Sequence, residues 1–239
     1  MQDQMLRYLF EARDIIRKSP SLAAVLIVYT SILWLPTALL GNSSNNWSES
    51  SSMITMVAAG LLALIVHPVI YAKYADLVMN RNQRSWSAIL KADWLNFFIV
   101  TLVLGLPLLL VEFAAALTKA QLPFPKLFVS SACALIGIYT IPLVFLLRER
   151  LSSISLGAKC LFGNFSFSKY LVLLTLLAVI LGHSIESPYA SIPSRLWGLL
   201  GLVLAVSLVI IDLVVFVAAS LILVDKLGIR GPCMSSDNV

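Results

Sequence analysis

Charge is scarce in this sequence. Only 12% of its residues are Asp, Glu, Lys or Arg, against about 25% in soluble domains, which excludes an ordinary water-soluble fold. Histidine is scarcer still. His67 and His183 are the only two, too few and too far apart for a dedicated metal site, and neither metal nor cofactor is expected. The three cysteines, Cys133, Cys160 and Cys233, have no near partner, so neither a disulfide framework nor a zinc site is supported. The chain has no Gly-rich phosphate loop, no His-Glu-x-x-His and no Gly-x-Ser-x-Gly, the short motifs that carry hydrolytic or phosphoryl chemistry. No catalytic residue is assigned, and a non-enzymatic protein is expected. Basic residues are not interleaved with aromatics as on an RNA-binding surface, so nucleic acid is not an expected partner. The first long apolar run begins near Pro20 and continues too far for a signal-peptide core, so no cleaved leader is expected.

What is abundant is apolar sequence. Of 239 residues, 59% are hydrophobic, and a bilayer-crossing helix needs about 20 of them in a row. Six runs qualify, at about 21–40, 53–74, 95–118, 127–147, 166–185 and 196–224. The expected fold class is therefore all-α, a polytopic membrane bundle of six transmembrane helices in a single integral domain over 1–239. Ahead of the first run, Met5, Tyr8, Leu9, Ala12, Ile15 and Ile16 recur at helical spacing. They predict an amphipathic interfacial helix over 2–18. Ser19-Pro20 then reads as a cap with proline in the first turn of the next helix. Residues 225–239 form an expected cytoplasmic tail.

Orientation follows from the basic residues. Arg7, Arg13, Arg17, Lys18, Lys73, Arg81, Arg84, Lys91, Arg148, Arg150, Lys159, Lys169, Lys226 and Arg230 fall on one side of the six-run layout. Lys119, Lys126 and Arg195 fall on the other. The positive-inside rule places the first set in the cytoplasm, with both termini. The Asn- and Ser-rich loop at 41–52 is then external. Its triplets Asn42-Ser43-Ser44 and Asn46-Trp47-Ser48 match the N-glycosylation pattern.

Two connections on the basic side are amphipathic. Trp86, Ile89, Leu90 and Trp94 share one face after Ser85, and Leu151, Ile154, Ala158, Leu161 and Phe165 recur at steps of three and four. Each is expected to be a helix along the inner interface. Arg81, Arg84, Lys91, Arg148, Arg150 and Lys159 are candidates for binding lipid headgroups. Pro68-Val-Ile-Tyr71 and Pro142-Leu-Val-Phe145 lie 74 residues apart, as do Glu112 and Glu186. An amphipathic helix plus a hairpin of two spans, used three times, is the expected internal repeat.

Pro142-Leu-Val-Phe-Leu-Leu-Arg-Glu-Arg150, followed by Ser155, Leu156, Lys159, Leu161 and Asn164, resembles the inter-hairpin stretch of a broad group of bacterial six-span membrane proteins. That group includes the YciC-like inner-membrane proteins and the membrane domain beside some glycerophosphodiester phosphodiesterases. The resemblance implies a fold and a bacterial inner membrane. It brings no catalytic residues, and no phosphodiesterase domain is present in the sequence.

Three polar residues within the runs are candidate functional groups: Asp212, Glu112 and His67. Ionisable groups at membrane depth are costly and face a bundle interior or a wet cavity. Asp212 is expected to face the interior and to bond a hydroxyl, amide or carbonyl from another span. His67 reads as a structural, hydrogen-bonded histidine, placed inner, with Asp212 central and Glu112 outer. Gly60, Gly105, Gly137, Gly198 and Gly201 are expected at close helix contacts, and Pro107 and Pro142 at kinks. Trp34, Trp47, Trp94, Trp197, Tyr170 and Tyr189 are expected as interfacial anchors. The first functional expectation is a membrane-embedded partner, scaffold or envelope-homeostasis factor, with membrane lipids, a membrane protein or a second copy as partner. The alternative is a small transporter or lipid-handling protein using Asp212 and Glu112. A cavity reaching Asp212 would favour the alternative, and a filled bundle the first.

Overall fold

A computed structural model describes residues 2–40, 49–119, 122–186, 194–226 and 228, with side chains at 6–32, 62–119, 122–184, 198–226 and 228. Residues 41–48 with both glycosylation triplets, Tyr189, Arg230 and Cys233 lie outside the described residues. So do the side chains of Trp34, Glu186, Arg195 and Trp197, and the surroundings of Gly60. Among the described residues the chain is all-helical, with eight helices and no strand. They are α1 (Gln2–Lys18), α2 (Pro20–Leu40), α3 (Glu49–Val78), α4 (Trp86–Thr118), α5 (Pro123–Leu147), α6 (Ser152–Gly163), α7 (Phe165–Glu186) and α8 (Ser194–Lys226).

Local sequence explains the boundaries. Proline opens α2 and α5, where a missing N–H is harmless. Ser85 caps α4 by accepting a hydrogen bond from the Ala88 amide at 3.3 Å. At the end of α3, Asn80 turns left-handed at φ 50°. Its amide reaches Leu77 O at 3.1 Å, and the Arg81 amide reaches Asp76 O at 2.9 Å. That pair of bonds is a Schellman stop with asparagine in the usual glycine position. Pro68, Pro107 and Pro142 each lie inside a continuous helix.

Four helical segments are long and apolar enough to cross a membrane: Trp86–Thr118, Pro123–Leu147, Phe165–Ser184 and Gly198–Lys226. A fifth arises if Leu6–Lys18 and Pro20–Ile32, which meet at 86°, count as one broken span. The described residues thus give four to five candidate spans where six were expected. The difference lies in the first hairpin, where side chains are described only to Ile32 in α2 and only from Leu62 in α3.

One sequence expectation is corrected here. The interfacial helix expected at 85–94 is not a separate element but the base of α4. At about 1.5 Å per residue a 33-residue helix is roughly 50 Å long. It is longer than the thickness of an apolar core of about 30 Å. Asp93 and Asn96 are buried in this base and do not interrupt it. The second amphipathic segment is a separate helix, α6. It buries Ser153, Gly157, Cys160 and Leu161 and leaves Leu151 and Phe165 exposed.

α8 is the hub, packed against α1, α2, α3, α5 and α7. The core sits towards the basic end. In α4 the buried residues are Ile89, Asp93, Asn96, Phe97 and Val100, and in α5 they run from Ile138 to Leu146. At its centre Tyr71, Phe97, Phe145 and Phe216, one from each of α3, α4, α5 and α8, form a ring cluster. Tyr71 stacks on Phe216 at 4.5 Å, and Phe145 lies 5.7 Å from Phe97 and 6.0 Å from Phe216. Two helices approach closely at Gly157, which was not among the expected packing glycines. A Cβ there would lie 2.3 Å from Thr140 Oγ1 and 2.8 Å from its backbone nitrogen, so α6 rests on α5 only because position 157 has no side chain. Gly105 and Gly137, expected at such contacts, face open space.

Candidate functional site

Three groups of polar side chains occur along the bundle, and they differ in how fully they are satisfied. The first is at the basic end. Arg84 donates from Nε to Asp76 at 3.0 Å and from Nη1 to Asp93 Oδ2 at 2.7 Å. Asp93 is fully buried, and Asp76 is only 2% exposed. Lys73 Nζ donates to Arg84 O at 3.1 Å. Asn96 accepts from Arg150 Nε at 2.7 Å and donates to Arg148 O at 3.3 Å. Arg148 Nε stands 4.0 Å from Asp93 Oδ1, an oxygen that, like Arg84 Nη2, lacks a hydrogen-bond partner. The expectation that Arg84 faces headgroups or water is therefore corrected, because its guanidinium is turned inward onto two carboxylates. Arg148 and Arg150 are exposed but tied to this network, while Lys91 and Lys159 are exposed and Arg81 is half-buried. At the same end Tyr8 of α1 donates to the Asp225 carboxylate of α8. Burial, with that carboxylate beside it, pushes the Tyr8 phenol up.

The second group surrounds Tyr71. Its hydroxyl donates to Asp212 Oδ2, which is the hydroxyl from another helix that the sequence called for. One turn before Tyr71, the His67 ring packs against it at 5.8 Å and against Tyr29 at 6.0 Å. His67 Nδ1 lies 3.0 Å from Ala63 O, the bond an Nδ1–H would donate to the preceding turn. His67 and Asp212, expected at separate depths, thus flank one tyrosine. Asp212 is also exposed rather than enclosed. It lines a groove of about 260 Å³ with Ala134 of α5, Thr175, Ala178 and Val179 of α7, and Leu208, Ile211 and Val215 of α8. Thr175 Oγ1 is buried in this wall without a hydrogen-bond partner.

The third group is at the opposite end from the basic cluster. Glu112 pairs with Lys126 at 3.3 Å across the α4–α5 connection. Both line a recess of about 170 Å³ with Ser130, His183, Leu108, Leu127, Val179 and Gly182. Val179 is a wall of both spaces, so recess and groove adjoin along α7. Glu112 does not meet Asp212 or His67 directly.

Sequence reasoning missed Tyr71, Thr175, Lys126 and His183 as members of these groups. Tyr71 had a signal, since it lies four residues after His67 and shares its helix face. Lys126 had one too, as a lysine at the head of a span that follows a span containing glutamate. Among the described residues no group of three or more His, Cys, Asp or Glu side chains could hold a metal ion. Cys133 and Cys160 are free thiols, and burial pushes Cys160 up. Comparison with protein-family models, curated proteins and solved structures gives no match.

Proposed function

We propose that this chain is a small transporter or lipid-handling protein that admits an amphiphilic molecule to the groove between α5, α7 and α8, with Asp212 on the path its polar part takes as the molecule changes leaflets. One observation carries the reading: the groove of about 260 Å³ reaches an exposed intramembrane carboxylate. Its walls are otherwise alanine, valine, leucine and isoleucine, apart from Thr175, whose hydroxyl is buried. Ligand sites are commonly apolar with a few placed polar groups, and an ionisable residue at membrane depth marks a pathway by default. Tyr71 holds one oxygen of Asp212, and Asp212 lines the groove. The partner or scaffold role calls for a filled bundle and has no such opening to explain.

The proposed setting is a six-span bundle in a bacterial inner membrane, built from three repeated units, with both termini cytoplasmic. The one-sided distribution of basic residues and the likeness of the 142–164 stretch to bacterial six-span proteins support it. The described basic cluster would then lie at the cytoplasmic end, and the recess at Glu112 and Lys126 at the outer end.

Reconstitution into vesicles tests the function. Leaflet exchange of a fluorescent phosphatidylethanolamine, read by dithionite quenching, should be faster with the protein than in empty vesicles. Ala178→Trp, which fills the groove, and Asp212→Asn should both remove the acceleration without lowering the thermal midpoint. No acceleration by the wild-type protein would overturn the lipid-handling reading and return the partner role to first place.

A further inference from the structure

We infer that the recess formed by Glu112, Lys126, Ser130 and His183 is a binding site for a zwitterionic group that pairs a primary ammonium with a phosphate, the chemistry of a phosphoethanolamine headgroup. The inference rests on the proposed groove function and adds the ligand's polar class. The recess brings one carboxylate, one ammonium, one hydroxyl and one imidazole into a space of about 170 Å³. Glu112 complements a primary ammonium, which donates three hydrogen bonds. Lys126 complements a phosphate, with Ser130 and His183 as further polar contacts. A ligand carrying both charges replaces each member's partner with one of the same sign, so neither is left uncompensated.

The resident ion pair is no obstacle. Glu112 and Lys126 are 47% and 30% exposed in their side chains, and exposed pairs contribute little. The pair opens at little cost, unlike the buried Arg84 network. Location favours a lipid. The recess is at the end of α5 and α7 remote from the basic cluster, and Val179 joins it to the Asp212 groove. From Thr175 to His183 is eight residues, or about 12 Å along α7. A headgroup seated at Lys126 and His183 would have its glycerol and upper chain beside Val179 and its tail beside Ala178 and Thr175.

Native mass spectrometry of the full chain in detergent tests the site, using matched phosphatidylethanolamine, phosphatidylcholine and phosphatidylglycerol. The wild type should retain one phosphatidylethanolamine about tenfold better than either other lipid. The quaternary ammonium of choline cannot donate to Glu112, and glycerol carries no cation. Glu112→Gln should erase the preference for ethanolamine over choline. Lys126→Gln should weaken all three lipids, because the phosphate is common to them. Free phosphoethanolamine that displaces the lipid would make the isolated zwitterion sufficient. No displacement, with the preference intact, assigns the site to the lipid. Equal retention of the three lipids by the wild type overturns the inference, and this arm needs no variant to fold. An ethanolamine preference that survives Glu112→Gln also overturns it. Asp212→Asn separates the two proposals, since it should stop leaflet exchange yet keep the headgroup preference.

Discussion

The basic end and the opposite half of the bundle are built from the same helices, but on different physical terms. At the basic end Asp76, Asp93 and Asn96 are almost wholly buried and bonded to arginines. The aromatic cluster fills the space beside them. Beyond Val100 in α4 and before Ile138 in α5 there is no buried residue among those described. Both cavities lie in or beside that open half, as does the orphaned Thr175 hydroxyl. Polar groups at the basic end hold the helices together. Those in the open half have room to meet another molecule. Burial separates the two regions.

Substitutions should break this contrast in order of size. The largest effect is expected from Arg84→Ala, which strands Asp76 and Asp93 in the core. Removing one partner of a buried pair costs about 3–5 kcal/mol, so the thermal midpoint in detergent should fall steeply. Gly157→Ala comes next. Its new methyl meets Thr140 backbone as well as side chain, and overpacking of this kind costs about 1–3 kcal/mol. A competitive folding assay should show the loss, and Gly105→Ala, which faces open space, serves as a control with no such loss.

Tyr71→Phe should cost less, about 1 kcal/mol for one interhelical hydrogen bond in a membrane. Asp212→Asn should cost no more, since an amide still accepts from Tyr71. Loss of leaflet exchange in the Asn variant with an unchanged midpoint would sharpen the division. A midpoint drop as large as that of Arg84→Ala would place Asp212 with the structural groups instead. The smallest change concerns Cys160. Burial pushes its thiol up, so thiolate is scarce at neutral pH. Labelling by a water-soluble maleimide should be slow until detergent unfolding releases the thiol.

The helices were legible in the sequence because their apolar runs are long and their ends carry recognisable chemistry, such as Ser19-Pro20 and Ser85. The continuity of α4 from its first turn into the span was not. Asp93 and Lys91 break the apolar pattern, and nothing local says that Asp93 will be neutralised by an arginine nine residues earlier. Asp212 stood out by itself in an apolar run, but its partner Tyr71 lies 141 positions away, beyond the reach of periodicity. Glycine was misleading for a related reason. Close approach is a property of two helices, and Gly157 matters only because Thr140 of α5 sits opposite.

The most direct test of the division is where a lipid chain enters the bundle. The full chain can be reconstituted with a phospholipid carrying a diazirine on its acyl chain, irradiated, digested and mapped by mass spectrometry. Adducts at Ala134, Ala178 and Leu208, lost on Ala178→Trp, are the expected result. Adducts confined to outward-facing positions such as Leu102, Leu106 and Val203, with none in the groove, would contradict it.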